Sequence, residues 1–233
     1  MDDVAIIIQA RMESVRLPGK SLMPISGVTL IERCYQQCLK SKIKKIIVAT
    51  ASTREDKLLY DYLLSKNITV YQGDSDNLVK RYYQVASHYS INHIIRITGD
   101  NPLVDPEIIN RVWDLYQQSG VAYASTRHWD GKNFTSNLAK GLAVDIFSIN
   151  SLKIMLSDNI NELEREHIVY YFVNNQNRFK IAELKVEQKC PYDLSIDTIE
   201  DLHRIEKIIN YFEKYNIKFE YSNYCQRIKE VFQ

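Results

Sequence analysis

Glycine is scarce in this chain, seven in 233 residues. The scarcity excludes the loops in which backbone amides wrap a phosphate chain. Neither G-x-G-x-x-G nor G-x-x-x-x-G-K-[ST] is present; Gly19-Lys20-Ser21 has the ending of the second motif without its upstream glycine. Cysteine is also sparse. Cys34, Cys38, Cys190 and Cys225 form no C-x-x-C, and the five histidines show no metal-ligand spacing, which argues against a structural zinc site. Cys34 and Cys38 fall on one face of an expected helix among Leu30, Ile31 and Tyr35, the pattern of buried free thiols. Excess charge of one sign is missing too: 30 Lys and Arg against 29 Asp and Glu leave +1. A nucleic-acid or membrane-surface partner would demand a basic imbalance, so neither is expected. No apolar run is long enough to span a bilayer, and the acidic start MDDVAIIIQARM has too short a run for a signal peptide. The expectation is a cytoplasmic protein.

What is present is an alternation of buried strands and amphipathic helices. VAIIIQA, KKIIVAT, ITVYQ, HIIRIT and VAYAS read as five strands. Between them, Leu30, Ile31, Cys34, Tyr35, Cys38 and Leu39 recur at helical spacing, as do Leu58, Leu59, Tyr62 and Leu63. Leu78, Tyr82, Val85 and Ala86 mark a third helix, and Ile108, Ile109, Val112, Leu115 and Tyr116 a fourth. Ser52 and Glu55 in STRE form a capping-box pattern that opens the second helix. The fold class predicted is α/β, a doubly wound, mostly parallel sheet of Rossmann type. From about Thr126 to Tyr192 the alternation blurs into a polar stretch, the short strand LAVDIF, two helices and the strand FKIAELK. It resumes at YDLSIDTIEDLHRI, a strand end entering a helix. Residues 1–233 are expected as one domain, with 126–192 an insertion. In such sheets ligands bind beyond the carboxyl ends of the strands, so residues just past strand ends are the candidates for function.

Arg11, Arg16 and Lys20 lie in that position after the first strand. Guanidinium forks and an ammonium hold phosphate oxygens through bidentate and point-charge contacts; a solvated surface loop is the competing reading. QARMESVRLPGKSLMPISGVTLIERCYQQC settles the choice by resemblance. It is similar to the signature of cytidylyltransferases that make CMP-activated sugar acids, the CMP-KDO and CMP-neuraminate synthetases. The nearest branch resembles spore-coat polysaccharide cytidylyltransferases, whose loop reads roughly Q-A-R-x-x-S-x-R-L-P-G-K. Glu13 and Val15 depart from the usual Gly and Thr. The likeness continues through IIVATASTREDKLL, VYQGDSDNLVKRYYQVA, IIRITGDNPLVDPEII and LSIDTIEDLHRI, and is weakest in the insertion. There the usual G-L-D-V-E stands as Gly141-Leu142-Ala143-Val144-Asp145.

The resemblance implies a nucleotide-diphospho-sugar transferase-like fold and a Mg²⁺-dependent enzyme using CTP. Asp100, after the fourth strand, and Asp197, before the late helix, become the two metal carboxylates. Taken alone, Asp100 reads as a turn residue and Asp197 as a helix N-cap completed by Glu200. Asp105, followed by Pro106, reads as an N-cap outside the site. Lys20 would stabilise charge on the α-phosphate, and Arg11 and Arg16 would hold the β- and γ-phosphates. Gln9, Ala10, Arg11, Ala49, Thr50, Gly73, Asp74, Arg81, Thr98 and Gly99 are implied as nucleotide contacts, with Arg81 equally readable as an ordinary surface arginine. Arg127, Lys140, Asp145, Arg165 and His167 are the acceptor candidates; a solvated helix face competes for Arg165 and His167. The function expected is CMP transfer from CTP to a small acidic acceptor, a sugar acid or a phosphorylated small molecule, with release of pyrophosphate, for surface polysaccharide or glycoconjugate synthesis, by a homodimer. The alternatives are guanylyl or uridylyl transfer to a sugar 1-phosphate, a glycosyltransferase using the DSD triplet at 74–76, and a non-catalytic nucleotide-binding module.

Overall fold

Val4–Gln9 (β1) is buried in five of its six positions, and its side chains feed two cores in strict alternation. Val4, Ile6 and Ile8 enter one apolar cluster, Ala5 and Ile7 the other, as the two-residue period of a strand covered on both faces requires. The computed structural model describes residues 3–158 and 160–233. After β1, Pro24–Ile25 (β2) and Val28–Thr29 (β3) form a small antiparallel ribbon, and Ile46–Ala51 (β4), Val70–Gly73 (β5) and His93–Thr98 (β6) continue the central sheet. Tyr123–Ser125 (β7) follows, then the ribbon of His128–Trp129 (β8) with Phe134–Thr135 (β9), and finally Asp145–Ser148 (β10) and Ile181–Glu183 (β11). The seven-stranded sheet runs β11-β7-β10-β6-β1-β4-β5. Its pairs are parallel except around β10, which runs antiparallel to both β6 and β7.

Helices Leu30–Leu39 (α1), Asp56–Ser65 (α2), Leu78–His88 (α3) and Pro106–Ser119 (α4) follow the expected crossovers. Ile149–Ser157 (α5), Glu162–Glu166 (α6), Ile168–Asn174 (α7), Ile199–Lys214 (α8) and Tyr221–Val231 (α9) complete the chain. Residues of α1, α2, α4, α8 and α9 pack on one face, and those of α3, α5 and α7 on the other. Among the described helices none is long and apolar enough to cross a membrane. The four cysteines are free, and Cys34 and Cys38 are buried on α1 as their spacing suggested.

Several local expectations change. Residues 126–192 are not simply set into the fold: they supply β10 and β11 to the sheet and α5 and α7 to its cover. The capping interaction of α2 lies one residue later than Ser52 and Glu55 predicted. Thr53 Oγ1 accepts from the Asp56 amide at 3.1 Å and donates to the Asp56 carboxylate at 3.0 Å. The YDLSID segment makes no strand, only an isolated bridge between Lys140 and Asp193. α8 is capped by Thr198 with Asp201 as its box partner, not by Asp197 with Glu200, so the Asp197 carboxylate has no capping duty. Asp105 does cap α4, accepting from the amides of Glu107 at 2.7 Å and Ile108 at 3.4 Å.

Candidate active site

The loop after β1 is held open by hydrogen bonds that its sequence does not announce. The Met12 amide donates to Asp56 Oδ1 (2.7 Å), the Gly19 amide to the Met12 carbonyl (2.9 Å), and Ser21 Oγ to the Arg11 carbonyl (3.0 Å). Gly19 sits at φ +74°, where a side chain would be strained, and the chain then enters a short 3-10 turn at Lys20–Leu22. The curl leaves Arg11 and Arg16 exposed and aims Lys20 inward.

Lys20 Nζ donates to Asp100 Oδ2 (3.0 Å), Asp197 Oδ1 (3.1 Å) and the Ile196 carbonyl (2.6 Å). The other Asp197 oxygen meets Arg16 at 2.9 Å and Lys140 at 3.2 Å. Burial would push the Asp197 carboxyl up, but the hydrogen bonds and charges of Lys20 and Lys140 outweigh it and hold the carboxyl below its ordinary value. Two backbone contacts explain how residue 197 reaches residue 100 across the sheet. The Ile196 amide donates to the Asp100 carbonyl at 3.0 Å, and the Leu194 amide to the Lys140 carbonyl at 2.7 Å. The second requires Gly141, at φ +93°, because a Cβ there would lie 2.5 Å from the Leu194 carbonyl carbon.

These groups rim a cleft of about 460 Å³ beyond the ends of β1 and β6. The connection after β1 leads to β4 on one side and the connection after β6 leads to β7 on the other, so the cleft lies at the topological switch point. Gln9, Ala10, Arg11, Arg16, Lys20, Arg81, Thr98, Gly99, Asp100, His167 and Asp197 all line it. Other candidates lie elsewhere. Ala49 and Thr50 have no exposed surface and belong to the strand interior. Gly73 packs against α3, where a Cβ would meet Arg81 Cγ at 2.8 Å. Asp74 builds the turn before α3: its carboxylate accepts from the amides of Asp76 (3.1 Å) and Asn77 (2.9 Å) and pairs with Lys80 (2.7 Å). That bonding absorbs Asp74 of the DSD triplet into local structure. Arg81 is not a surface arginine; it is buried and clamps the same turn through the Asp74 and Ser75 carbonyls, at 2.8 and 2.9 Å.

On the acceptor side, Arg165 is exposed and does not line the cleft. The helix face expected to carry both Arg165 and His167 is broken at His167, whose φ of −127° and ψ of 81° separate α6 from α7. The break turns His167 and Glu166 toward the cleft, where Glu166 meets Arg11 at 3.7 Å. Burial, with Arg96, Arg127 and Arg11 nearby, holds the His167 imidazole below its ordinary value despite the opposing charge of Glu166.

Asp145 has no exposed surface and cannot touch an acceptor. It accepts from Arg96 Nη1 (2.8 Å), Tyr123 Oη (2.7 Å) and Ser125 Oγ (2.8 Å), and also from Arg127 Nη2. Burial pushes this carboxyl up, yet Arg127 and Arg96 more than offset it and keep it lowered. Removing one partner from a buried charge cluster typically costs about 3–5 kcal/mol. Asp145→Asn is therefore expected to lower urea-unfolding stability at pH 7 by an amount of that order. A depressed carboxyl contributes stability above its unfolded value near 3.8 and loses it as pH falls through the folded value. The wild-type advantage over the variant should accordingly shrink in acid; a pH-independent difference would contradict the ion-pair account.

Sequence reasoning missed Arg96, Glu166 and Asp56. Arg96 had a visible signal, a lone charge inside the apolar strand HIIRIT. Glu166 and Asp56 had none, since each is placed by the break or cap of its helix.

Cations carried on side chains thus face two carboxylates across the switch point, and the class of enzyme in which they do so is a nucleotidyltransferase. The chain belongs to the cytidylyltransferase family, whose model, described as Cytidylyltransferase, matches residues 5–227. It is 28% identical to the spore coat polysaccharide biosynthesis protein SpsF of Bacillus subtilis, over 89% of this chain and 87% of that protein. It is 31% identical to the 3-deoxy-manno-octulosonate cytidylyltransferase of Psychromonas ingrahamii, over 66% of this chain and 58% of that one. Among solved structures, a cytidylyltransferase from Leptospira borgpetersenii superposes with a TM-score of 0.86 at 31% identity, covering 98% of this chain and 94% of that chain.

Proposed function

We propose that the protein transfers CMP from CTP, with Mg²⁺, to a small acidic acceptor destined for surface polysaccharide or glycoconjugate, releasing pyrophosphate. The observation that carries this reading is the convergence of Asp100 and Asp197 on one cationic atom, at 3.0 and 3.1 Å, beside a loop with two further arginines. Among the described residues no group of three or more His, Cys, Asp or Glu gathers for a metal. Two carboxylates nevertheless fit Mg²⁺, which takes one or two from protein and completes its shell with phosphate oxygens and water. Asp100 and Asp197 would hold it, and when bound it would neutralise charge on the triphosphate. The similarity to the Bacillus protein supports the polysaccharide setting.

In the reaction an acceptor oxygen attacks the α-phosphorus, the new phosphorus–oxygen bond forms, and the bond to the β-phosphate bridging oxygen breaks in line. Lys20 donates to the α-phosphate as its charge builds, while Arg11 and Arg16 hold the leaving pyrophosphate. Entry of the triphosphate gives Lys20 and Arg16 phosphate partners in place of the Asp197 carboxylate that now engages both. Gln9 is fixed through its oxygen by Tyr82 Oη and Arg96 Nε, each at 3.0 Å, which leaves its amide N–H groups to face the cleft. The enzyme acts as a homodimer in this reading. The half-buried aromatic group of Trp129, Phe134 and Tyr170 on residues 126–192 supports a contact there.

Thermal shift tests the nucleotide. A ligand at a hundred times its Kd stabilises the native state by about 2.7 kcal/mol, so CTP with Mg²⁺ should raise the melting temperature by several degrees. ATP and GTP at the same concentration should not, and an equal shift from a purine nucleotide overturns the assignment of CTP.

A further inference from the structure

Asp56 is an acid that the reaction does not touch. It opens α2, is only 1% exposed, and does not line the cleft. Burying a carboxylate is unfavourable unless its oxygens find partners. Here the partners are a hydroxyl and an amide, and no cation pairs with Asp56 among the described residues. Oδ2 accepts from Thr53 Oγ1 at 3.0 Å, and Thr53 Oγ1 in turn accepts from the Asp56 amide at 3.1 Å, which closes the start of the helix. Oδ1 takes no part in that cap. It accepts from the Met12 amide at 2.7 Å, 44 positions earlier in the chain.

That link falls on the pivot of the cationic loop. Met12 follows Arg11, and its carbonyl accepts from the amide of Gly19, the residue before Lys20, at 2.9 Å. Residues 13–18, Arg16 among them, hang from this pair. The arginines themselves are held loosely: their side chains are 57% and 62% exposed, and each meets one acid, Glu166 at 3.7 Å for Arg11 and Asp197 at 2.9 Å for Arg16. Lys20 is different, since Asp100, Asp197 and the Ile196 carbonyl fix its ammonium directly. Loss of Asp56 would therefore free the backbone that carries the two arginines and leave Lys20 in place.

We propose that Asp56 is a positioning residue, which fixes through the Met12 amide the backbone from which Arg11 and Arg16 reach the β- and γ-phosphates. This rests on the nucleotidyl-transfer reading above. It makes affinity for the phosphate tail, and not for the base or the α-phosphate, depend on a residue outside the cleft. The physical reason is preorganisation: side chains on a fixed backbone lose less freedom when the ligand binds than side chains on a loose one.

The test is calorimetry on the full chain with CTP and with CMP, each with Mg²⁺; CMP shares the base and the α-phosphate and lacks the tail. Asp56→Ala should weaken CTP binding about tenfold, the effect of having to order two freed arginine side chains, and leave CMP binding unchanged. Asp56→Asn, whose side-chain oxygen can still accept the Met12 amide, should restore CTP binding. Thr53→Val removes the cap hydroxyl and keeps the link, so it should lower the melting temperature and leave CTP affinity intact. Met12→Pro deletes the same hydrogen bond from the donor's side without touching α2, and it decides the matter if Asp56→Ala does not fold. Wild-type CTP affinity in folded Asp56→Ala or in Met12→Pro overturns the proposal, as does an equal loss of CTP and CMP affinity. So does a failure of Asp56→Asn to restore CTP binding, or a loss in Thr53→Val as large as that in Asp56→Ala. A wild type that binds no CTP overturns the underlying reading instead, so the two failures are separable.

Discussion

Lys20→Ala should release pyrophosphate at roughly one hundredth to one thousandth of the wild-type rate, the usual effect of losing one preorganised donor at the reacting centre. The structural reasons are specific. The Lys20 side chain is only 12% exposed and is held at one point by two carboxylates and the Ile196 carbonyl. Its ammonium is therefore in place before the substrate arrives and costs little to order in the transition state. The variant should stay folded, because the loop around Lys20 is shaped by Asp56, Gly19 and Ser21 and not by the ammonium. It also leaves Asp100 and Asp197 facing each other without their shared cation, so Mg²⁺ should bind the free variant more tightly than the free wild type. Circular dichroism with pyrophosphate release gives the first pair of readouts, and calorimetry with Mg²⁺ alone gives the third. Near-normal turnover in a folded variant would sink the role assigned to Lys20.

Asp197→Asn should be as damaging for a different reason. Its two oxygens accept Lys20, Arg16 and Lys140 at 3.1, 2.9 and 3.2 Å. The substitution removes one of the two carboxylates available to a metal and releases three cations from a common anchor. Turnover should fall by at least about 10²-fold, and the stabilisation of the protein by CTP should lose its dependence on Mg²⁺. A structural ion pair alone would leave that dependence intact, so titrating Mg²⁺ at fixed CTP separates the two accounts. The pH profile adds a sign. The carboxyl is held below its ordinary value of 3.8 by Lys20 and Lys140 against the effect of burial, so the wild type should show no acidic loss of activity from Asp197 until pH falls below that range.

Much of the central sheet was legible because its pattern is local. Continuous apolar strands, each followed by a helical period, can only bury their surfaces as a sheet covered on both faces, and β1, β4, β5 and β6 appear where that pattern put them. The cationic loop was legible for the same reason: Arg11, Arg16 and Lys20 are close in sequence and follow a strand end. The second half was harder. β10 and β11 are four and three residues long, too short for periodicity to show that they join the same sheet, and nothing local tells an antiparallel strand from a parallel one. Asp145 illustrates the consequence. Its residue type suggested an acceptor contact, while its place at the start of an antiparallel strand buries it between two arginines. His167 is the opposite case, a residue inside an apparent helix that a break in the helix delivers to the cleft.

By itself, the sequence determined the layered α/β architecture, the scarcity of glycine that rules out an amide-built phosphate loop, and the three cations that follow the first strand. Only the tertiary structure decided what those cations face. Asp100 and Asp197 are 97 residues apart, and whether two such carboxylates meet depends on the register of the 193–197 segment against residue 140. That register is set by one hydrogen bond and one glycine, whose missing Cβ lets the backbones touch. Chain separation on that scale is invisible to spacing rules, because contact between distant segments is fixed by packing and not by period.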